Sequence, residues 1–453
     1  MSGKRGRRRK SRLPEEAVEA EITAMSNEGR GIAHIDDRTV FIDQALLGER
    51  VSFKYTRLTK SIAEGRTVEV LQASALRVEP KCDAFKMCGG CSLQHMSSDT
   101  QIELKQAMLI DQLKHLKVEP TETIEPLLGP EYGYRHKARL GVRYVHKKEK
   151  VLVGFRERGS SFITETERCE VLHPSVGSII NELAECINQL EEKRTIPQIE
   201  VAVGDNQTVL VFRHLEVLVE SDRKILSDFC AAHKLVCYLQ AGKPDDLELL
   251  YPEQVEPLYY MLPVGHEADS DLKIEFQPSD FIQVNPDINK RMVANAIDYL
   301  EIEKTDNVLD LFSGLGNFSL AMASRCQQVT GVEGSLAMVK KARDNASLNN
   351  ISNAEFIYAD LYSDEILTAP WIKKKYNKIL LDPPRSGAAE ILPLLKKMQA
   401  SIIVYVSCHP ATLARDAVVI VNELGYQLSK AGIMNMFPHT GHVESIAVFV
   451  KKK

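Results

Sequence analysis

Apolar and polar positions alternate, or β-branched residues cluster, in five short runs near the amino-terminal end. These are Val18–Ile22, Gly31–His34, Thr39–Ile42, Arg50–Thr56 and Arg66–Leu71. Turn-forming residues at 27–31, 36–37 and 47–49 separate them. Five strands in so short a stretch predict a small closed barrel of the OB type. Residues 97–117 change period. Ile102, Leu104, Ala107, Met108, Ile110, Leu113 and Leu116 recur mostly at three or four, which predicts a helix. Val171–Leu190 reads as an amphipathic helix, and Gln198–Val203 and Thr208–Phe212 as strands, so residues 151–270 are mixed α and β. No internal repeat stands out.

The last third has the most regular rhythm. Five apolar runs each end on a polar or reactive residue: Asn307–Asp310, Gln328–Glu333, Glu355–Asp360, Lys378–Asp382 and Ile402–Cys408. Their end residues are 23, 27, 22 and 26 positions apart, room for a loop, a helix and the next strand. That spacing predicts an open, doubly wound α/β sheet. Ligands bind such sheets outside the carboxyl ends of the strands, where these five end residues gather. Gln427–Met434 and Glu444–Val450 predict a terminal hairpin.

Charge adds a possible partner class. The net charge of −5 over 453 residues conceals a basic arm of Lys4, Arg5, Arg7, Arg8, Arg9, Lys10 and Arg12. Without these seven, 50 basic residues face 62 acidic ones, so the rest carries −12. A second basic stretch runs from Tyr134 to Lys150, with Arg135, Lys137, Arg139, Arg143, Lys147, Lys148 and Lys150 interleaved by His136, Tyr144 and His146. Basic strands with aromatic rings suit RNA, although a solvated sheet face has the same pattern. No apolar run reaches the roughly 18 residues of a membrane span, and no secretory h-region follows the charged arm. Nine cysteines in a chain of this kind read as thiols of a reducing cytoplasm, clustered for metal or catalysis.

Asp310-Leu311-Phe312-Ser313-Gly314-Leu315-Gly316-Asn317-Phe318 is a strand entering a glycine-rich turn. Ser319 stands where a dinucleotide fingerprint needs its third glycine, which disfavours NAD. Glu333 can grip both ribose hydroxyls, and Asp360 can accept from an adenine amino group. Adenosine without a phosphate cradle points to S-adenosylmethionine. Asp382-Pro383-Pro384-Arg385 follows the fourth strand; two prolines stiffen a loop fit to hold a planar base. Cys408 tips the fifth strand. Cysteines at such sites are often only small buried hydrophobes, but this one shares the ligand-binding edge with the Asp-Pro-Pro loop. Cys82, Cys88 and Cys91 are spaced C-x5-C-x2-C, which leaves both zinc and an iron–sulfur cluster open, and a reduced or redox-active Cys-x-x-Cys besides.

Cys82-x5-Cys88-x2-Cys91, Gln283-Val284-Asn285, Asp310 to Phe318, Asp382-Pro-Pro-Arg-Ser-Gly, Ser407-Cys408-His409-Pro410 and His442-Val443-Glu444-Ser445 together resemble the RNA (uracil-C5)-methyltransferase family. The likeness covers nearly the whole chain, and with a barrel plus cysteine cluster it is closest to the large-subunit (23S) ribosomal RNA branch. It implies a multidomain protein: a basic arm at 1–14, an OB-like TRAM barrel at 15–75, an α+β RNA-binding domain with an iron–sulfur cluster at 76–275, and a doubly wound class I methyltransferase domain at 276–453. Helix 97–117 is free to pack on the last of these. It assigns Cys408 as the nucleophile that adds to C6 of uracil and Glu444 as the base that removes the C5 proton. It lines the S-adenosylmethionine pocket with Gln283, Phe312, Asn317, Glu333, Asp360 and Asp382. Asp360 stands where other members carry Asn, a change that keeps an acceptor. It makes Cys169 the fourth ligand, with Cys82, Cys88 and Cys91, of a [4Fe-4S] cluster that braces the fold. The implied partner is 23S ribosomal RNA, with no membrane and no obligate protein partner. Phe281 is a candidate to stack on a flipped base.

Two other classes remain at this point. A cytosine-C5 methyltransferase uses the same adduct chemistry, but its nucleophile usually follows a proline directly, whereas Ser407 precedes Cys408. A non-catalytic iron–sulfur RNA-binding protein would bind RNA without methyl transfer.

Overall fold

The computed structural model describes residues 13–26, 28–243, 246–264 and 271–452. The basic arm at 1–12 lies outside them. The described chain divides into two compact units. One runs up to Lys86 and adds Cys91–Leu104 and His439–Gly441; the other holds Met87–Gly90, Lys105–Pro438 and the chain from His442.

In the first unit the alternating runs become strands: β1 (Val18–Glu21), β2 (Ala24–Met25), β3 (Gly31–Ile35), β4 (Arg38–Asp43), β5 (Arg50–Leu58) and β6 (Ile62–Gln72). They form one sheet in the order β1-β5-β6-β4-β3-β2. Its buried face, with Ile22, Val40, Ile42, Val51 and Phe53, comes from alternate positions, as period-two patterning requires. Glu49, fully buried, accepts from the Leu46 amide at 2.8 Å and from Arg77 Nε at 2.5 Å, so its charge is compensated.

Helix α1 (Ser98–His115) has residues in both units. Its buried stripe is Gln101, Lys105, Leu109 and Leu113, while Ala107 and Leu116 of the expected apolar face are exposed. Gln101 Nε2 donates to the Leu93 and Met96 carbonyls at 3.1 and 2.9 Å. Lys105 Nζ donates to Asn435 Oδ1 and to the Phe437 carbonyl, both at 2.9 Å. Two buried polar side chains with specific acceptors rotated the helix away from the face its apolar residues indicated.

The second unit continues with β7 (Glu122–Thr123), then β8 (Lys137–Val145), β9 (Lys150–Gly154), α2 (Pro174–Gly177), α3 (Ile180–Asn188), β10 (Gln198–Val203), β11 (Thr208–Arg213), α4 (Glu220–Ala232), β12 (Val236–Gln240) and β13 (Leu247–Tyr251). Strands β13-β12-β11-β10-β8-β9 form a six-stranded sheet. The amphipathic stretch 171–190 is broken into α2 and α3; Pro174 starts the first, and Gly177, with no room for a Cβ beside the Cys169 carbonyl, ends it. β14 (Leu258–Leu262) and β15 (Leu272–Phe276) pair as a ribbon.

After α5 (Pro286–Leu300) come β16 (Asn307–Leu311), α6 (Ser319–Ala323), β17 (Gln328–Glu333), α7 (Leu336–Leu348), β18 (Ala354–Tyr358), β19 (Lys378–Leu381), α8 (Leu392–Met398), β20 (Ile402–Ser407), α9 (Pro410–Asn422), β21 (Tyr426–Met434) and β22 (Glu444–Lys451). The sheet order is β18-β17-β16-β19-β20-β22-β21-β7. The five expected strands are parallel, and the order reverses between β16 and β19, which is the switch point of a doubly wound sheet. The terminal hairpin extends the sheet, with β22 inserted antiparallel between β20 and β21, and β7 pairs parallel beyond β21. Among the described residues no helix is long and apolar enough to cross a membrane.

Buried Asp416 on α9 ties the loop after β19 to the sheet. It accepts from the Ala388 amide and Tyr405 Oη at 2.7 Å each and from Arg415 Nε at 2.8 Å, while Arg415 also holds the Ser386 carbonyl at 2.8 Å. Asp416→Ala leaves a buried amide and a buried hydroxyl without an acceptor and should destabilise this domain by about 3 kcal/mol. Urea titration followed by the emission of Trp371, the single tryptophan, reads this domain; Asp416→Asn should recover part of the loss.

Candidate active site

A cleft of about 640 Å³ opens at the carboxyl ends of the parallel strands. Gln283, Phe312, Asn317, Glu333, Asp360, Asp382, Cys408 and Glu444 all line it. Tyr260, Phe281, Met338, Tyr362, Arg385, Phe437 and His442 line it as well.

The glycine turn is built by backbone geometry. Phe312 adopts φ +68°, and its amide and that of Ser313 donate to the Val332 carbonyl at 2.9 and 3.1 Å. Gly314 and Gly316 have φ +54° and +89°, a region that glycine enters without strain. A Cβ on Gly314 would meet nothing within 4 Å, so the turn leaves open space above it. Glu333 is aimed by two amides: Gly314 N–H reaches Oε2 at 3.0 Å and Ser335 N–H reaches Oε1 at 2.9 Å. Asp360, exposed at the rim, accepts from the Tyr362 amide at 3.0 Å. Asn317 forms a reciprocal amide pair with Asn289 at 2.9 and 3.1 Å, and Oδ1 also accepts from buried Tyr260 Oη at 2.9 Å. The His136 amide donates to the Val284 carbonyl at 2.8 Å beside Gln283. An oriented carboxylate, open glycine turn and rim acceptor fit the adenosine part of S-adenosylmethionine.

The opposite side of the cleft holds Cys408 and Glu444. Ser407 pairs with Ser445 across β20 and β22, and Ser445 Oγ donates to the Ser407 carbonyl at 3.1 Å. The next residues outward, Cys408 and Glu444, therefore stand at the same edge. Burial pushes the Cys408 thiol up to about 11, and the negative charges of Glu444 and Asp382 add to it while Arg385 opposes. Burial raises Asp382 to about 7. Glu444 is held well above the usual carboxylate range, first by burial and then by Asp382, against Arg385. Arg385 Nη2 lies 3.0 Å from His442 Nδ1. Burial, then Arg385, lowers the His442 imidazole. The site thus combines a resting thiol, two carboxyl groups of raised proton affinity and one guanidinium. Arg385 and His442 sit inside recognisable motifs; Tyr260, Tyr362, Phe437 and the supporting Lys105 carry no local sequence signal and were not anticipated.

The four remaining candidates lie elsewhere. Cys82 and Cys91 belong to the first unit, Cys88 and Cys169 to the second. The Cys82 amide donates to Gln94 Oε1 at 3.1 Å. Cys88 Sγ accepts from the Gly90 amide at 3.3 Å, the kind of N–H donation a metal-bound thiolate also accepts. Among the described residues no group of three or more histidine, cysteine, aspartate or glutamate side chains is arranged to hold a metal ion.

The sequence model of tRNA (uracil-5-)-methyltransferases matches residues 97–453. The chain belongs to that family. A relative from Alcanivorax borkumensis, named 23S rRNA (uracil(1939)-C(5))-methyltransferase RlmD, is 48% identical over 98% of this chain and 99% of its own. A relative of the same name from Methylococcus capsulatus is also 48% identical, over 99% of both chains. The crystal structure of Pyrococcus abyssi tRNA (uracil-54, C5)-methyltransferase in complex with S-adenosyl-L-homocysteine superposes with a TM-score of 0.71, covering 96% of this chain and 100% of that one at 22% identity. That likeness shows the fold of this uracil-C5 methyltransferase family member: a class I S-adenosylmethionine methyltransferase domain within a chain of several sheets.

Arg385 is the cation that opposes thiol deprotonation being lost to burial. Arg385→Met should therefore slow alkylation of Cys408 by iodoacetamide at pH 8 several-fold, and the wild-type rate should climb with pH toward about 11. Mass spectrometry of the Cys408 peptide reads this among the nine cysteines.

Proposed function

We propose that the protein transfers a methyl group from S-adenosylmethionine to C5 of a uridine in 23S ribosomal RNA, through a covalent adduct between Cys408 and C6 of the uracil. The observation that carries the reading is the convergence of Cys408, Glu444 and Asp382 with the cofactor residues in one cleft. The near-full-length relatives named for 23S rRNA support the substrate class.

S-adenosylmethionine supplies an electrophilic methyl on its sulfonium. Gln283, Phe312, Asn317, Glu333, Asp360 and Asp382 hold it, Glu333 on the ribose and Asp360 on the adenine amino group. C5 of uracil is too weak a nucleophile to take that methyl unaided. The Cys408 thiol gives its proton to water, the resulting thiolate sulfur bonds to C6, and the C5–C6 electrons move into an enolate, which makes C5 nucleophilic. C5 then gains the methyl. Glu444 removes the proton left on C5, the C5–C6 double bond re-forms, and the C6–S bond breaks. Burial that raises the proton affinity of Glu444 makes it a stronger base for this step. Asp382, which lines the cleft, also reads the polar edge of uracil, and exposed Phe281 stacks on the flipped base.

The other parts of the reading concern RNA and iron. Residues 15–75 are an OB-like TRAM barrel, a reading supported by the β1–β6 sheet. Residues 76–275 form the central RNA-binding domain and 276–453 the catalytic domain; the basic arm at 1–14 and Tyr134–Lys150 add phosphate contacts. Cys82, Cys88, Cys91 and Cys169 hold a [4Fe-4S] cluster. The all-thiol donor set fits that group, and the methylation needs no electron from it, so its work is bracing. The enzyme is cytoplasmic, where these thiols stay reduced.

Cys408→Ala should abolish transfer, a loss of about 10⁴-fold or more, with RNA binding kept. Glu444→Gln should still add and methylate but stall before elimination. Radiolabel from the donor should then migrate on a denaturing gel as a protein–RNA conjugate and disappear in Cys408→Ala/Glu444→Gln. Full turnover by Glu444→Gln, or methylcytidine in place of methyluridine in the digested RNA, would refute the mechanism.

Anaerobically purified protein should be brown with about four irons per chain. Cys169→Ser should lose most of that iron. Stoichiometric zinc without iron would remove the cluster from the reading.

A further inference from the structure

The cofactor side of the cleft is backed by a ribbon separate from the main sheet. Strands β14 and β15 pair antiparallel, with Tyr260 opposite Ile274. Leu258, Tyr260 and Leu262 alternate inward and join the core that also holds Ile274, Phe276, Ile288 and Phe318. The Tyr260 ring lies 6.0 Å from that of Phe276. Two asparagines one turn apart on α7 hold the outer edge of the ribbon as a further strand would. Asn345 Oδ1 accepts from the Glu275 amide at 2.8 Å, and its Nδ2 donates to the Glu275 carbonyl at 3.1 Å. Asn349 does the same for Lys273, at 2.9 and 2.8 Å. The ribbon is therefore tied to the methyltransferase fold, and so is the hydroxyl at the end of the buried Tyr260 ring.

That hydroxyl meets an amide pair. Asn289 is buried on α5, and Asn317 is half-buried in the glycine turn ahead of α6. Asn317 Nδ2 donates to Asn289 Oδ1 at 2.9 Å, and Asn289 Nδ2 donates to Asn317 Oδ1 at 3.1 Å. Tyr260 Oη donates to the same Asn317 Oδ1 at 2.9 Å. An amide offers two acceptor sites on its oxygen and two N–H donors on its nitrogen. Protein groups thus fill both acceptor sites of Asn317 and leave one N–H. In a reciprocal pair of planar amides the N–H beside the oxygen is the one used, so the one left points away from Asn289. Asn317 is a wall residue of the cleft.

The pair alone does not fix this outcome. If both amides turned over together, each would still give and receive one bond. Asn317 would then show the cleft a carbonyl lone pair in place of an N–H. Tyr260 separates the two states. In the turned state Nδ2 would face the ribbon, and the buried hydroxyl would lose the acceptor of its proton. A buried donor without an acceptor costs more than an ordinary hydrogen bond gains.

The rest of the wall indicates what the N–H meets. Glu333, Asp360 and Asp382 are acids, suited to ribose hydroxyls, an adenine amino group and a cationic methyl donor. S-adenosylmethionine also carries a carboxylate, which acids repel and N–H donors hold. We propose that Tyr260 is a positioning residue, which sets the Asn317 amide so that a fixed N–H meets the carboxylate on the amino-acid tail of S-adenosylmethionine. The proposal rests on the reading of the cleft as a S-adenosylmethionine site. It adds a determinant that separates the whole cofactor from adenosine derivatives lacking that carboxylate.

The test is calorimetry on the full chain, purified anaerobically, without RNA. It compares S-adenosylhomocysteine with its decarboxylated analogue, S-adenosyl-3-thiopropylamine, which keeps the ammonium and loses only the carboxylate. Wild type should favour the first. Tyr260→Phe removes one oxygen and keeps the ring. It should weaken S-adenosylhomocysteine about fivefold and leave the analogue within about twofold of wild type. KM for S-adenosylmethionine should rise by the same factor, and KM for RNA should not. Asn317→Ala should remove the preference for the carboxylate, and adding Tyr260→Phe to it should cost nothing further. Equal weakening of both ligands by Tyr260→Phe would mean a general structural role and overturn the proposal. So would unchanged affinity for both, or a loss that persists in full on top of Asn317→Ala. In each of these cases wild type still binds S-adenosylhomocysteine, and the methyltransferase reading stands. A wild type that binds neither ligand overturns the cofactor reading, and the proposal with it.

Discussion

Strands β20 and β22 run antiparallel with Ser407 opposite Ser445, and the residues one step further out on each, Cys408 and Glu444, leave the sheet together at its ligand-binding edge. They lie far apart in the chain and come together only because the last strand inserts between β20 and β21 and does not simply extend the sheet from its end. A slip of one residue by β22 would turn Glu444 to the other face, away from Cys408. The hydrogen bond from Ser445 to the Ser407 carbonyl helps fix that register from within the core.

The same arrangement sets the chemistry. Glu444 is buried because its strand is an interior strand, flanked by β20 and β21. Removing water from a carboxylate raises its proton affinity, Asp382 raises Glu444 further, and both carboxylates raise the thiol. Arg385 is the counterweight. It stands on the Asp-Pro-Pro loop, which Asp416 and Arg415 hold against α9, so a buried structural carboxylate helps set where this cation is held.

Much of this was legible locally. Each of the five apolar runs of the last third is a parallel strand, and four of their end residues, Glu333, Asp360, Asp382 and Cys408, line one cleft as the spacing implied, whereas Asp310 is fully buried and accepts from Ser319 Oγ instead. The five amino-terminal runs are strands too, lengthened at β5 and β6. Helix α1 was found but its buried face was not: Gln101 and Lys105 occupy the stripe because Met96, Asn435 and Phe437 supply acceptors that a count of apolar residues does not see. Lys105 loses its solvation there, which lowers its pKa to about 7, a cost no periodicity records. The single helix expected over 171–190 became two, and between them the Gly177 carbonyl accepts from the Cys169 amide at 2.8 Å and not from a following helical amide.

By itself the sequence determined which stretches become strands, because hydrophobic period and turn residues act over a few positions. The motifs around Asp382, Cys408 and Glu444 were readable for the same reason. Tertiary structure alone decided strand order, the neighbourhood of Cys408 and Glu444, and the support of Asn317 by Tyr260 and Asn289. Those outcomes depend on contacts between distant segments and on the loss of water where they meet, and neither is encoded in any local window of the chain.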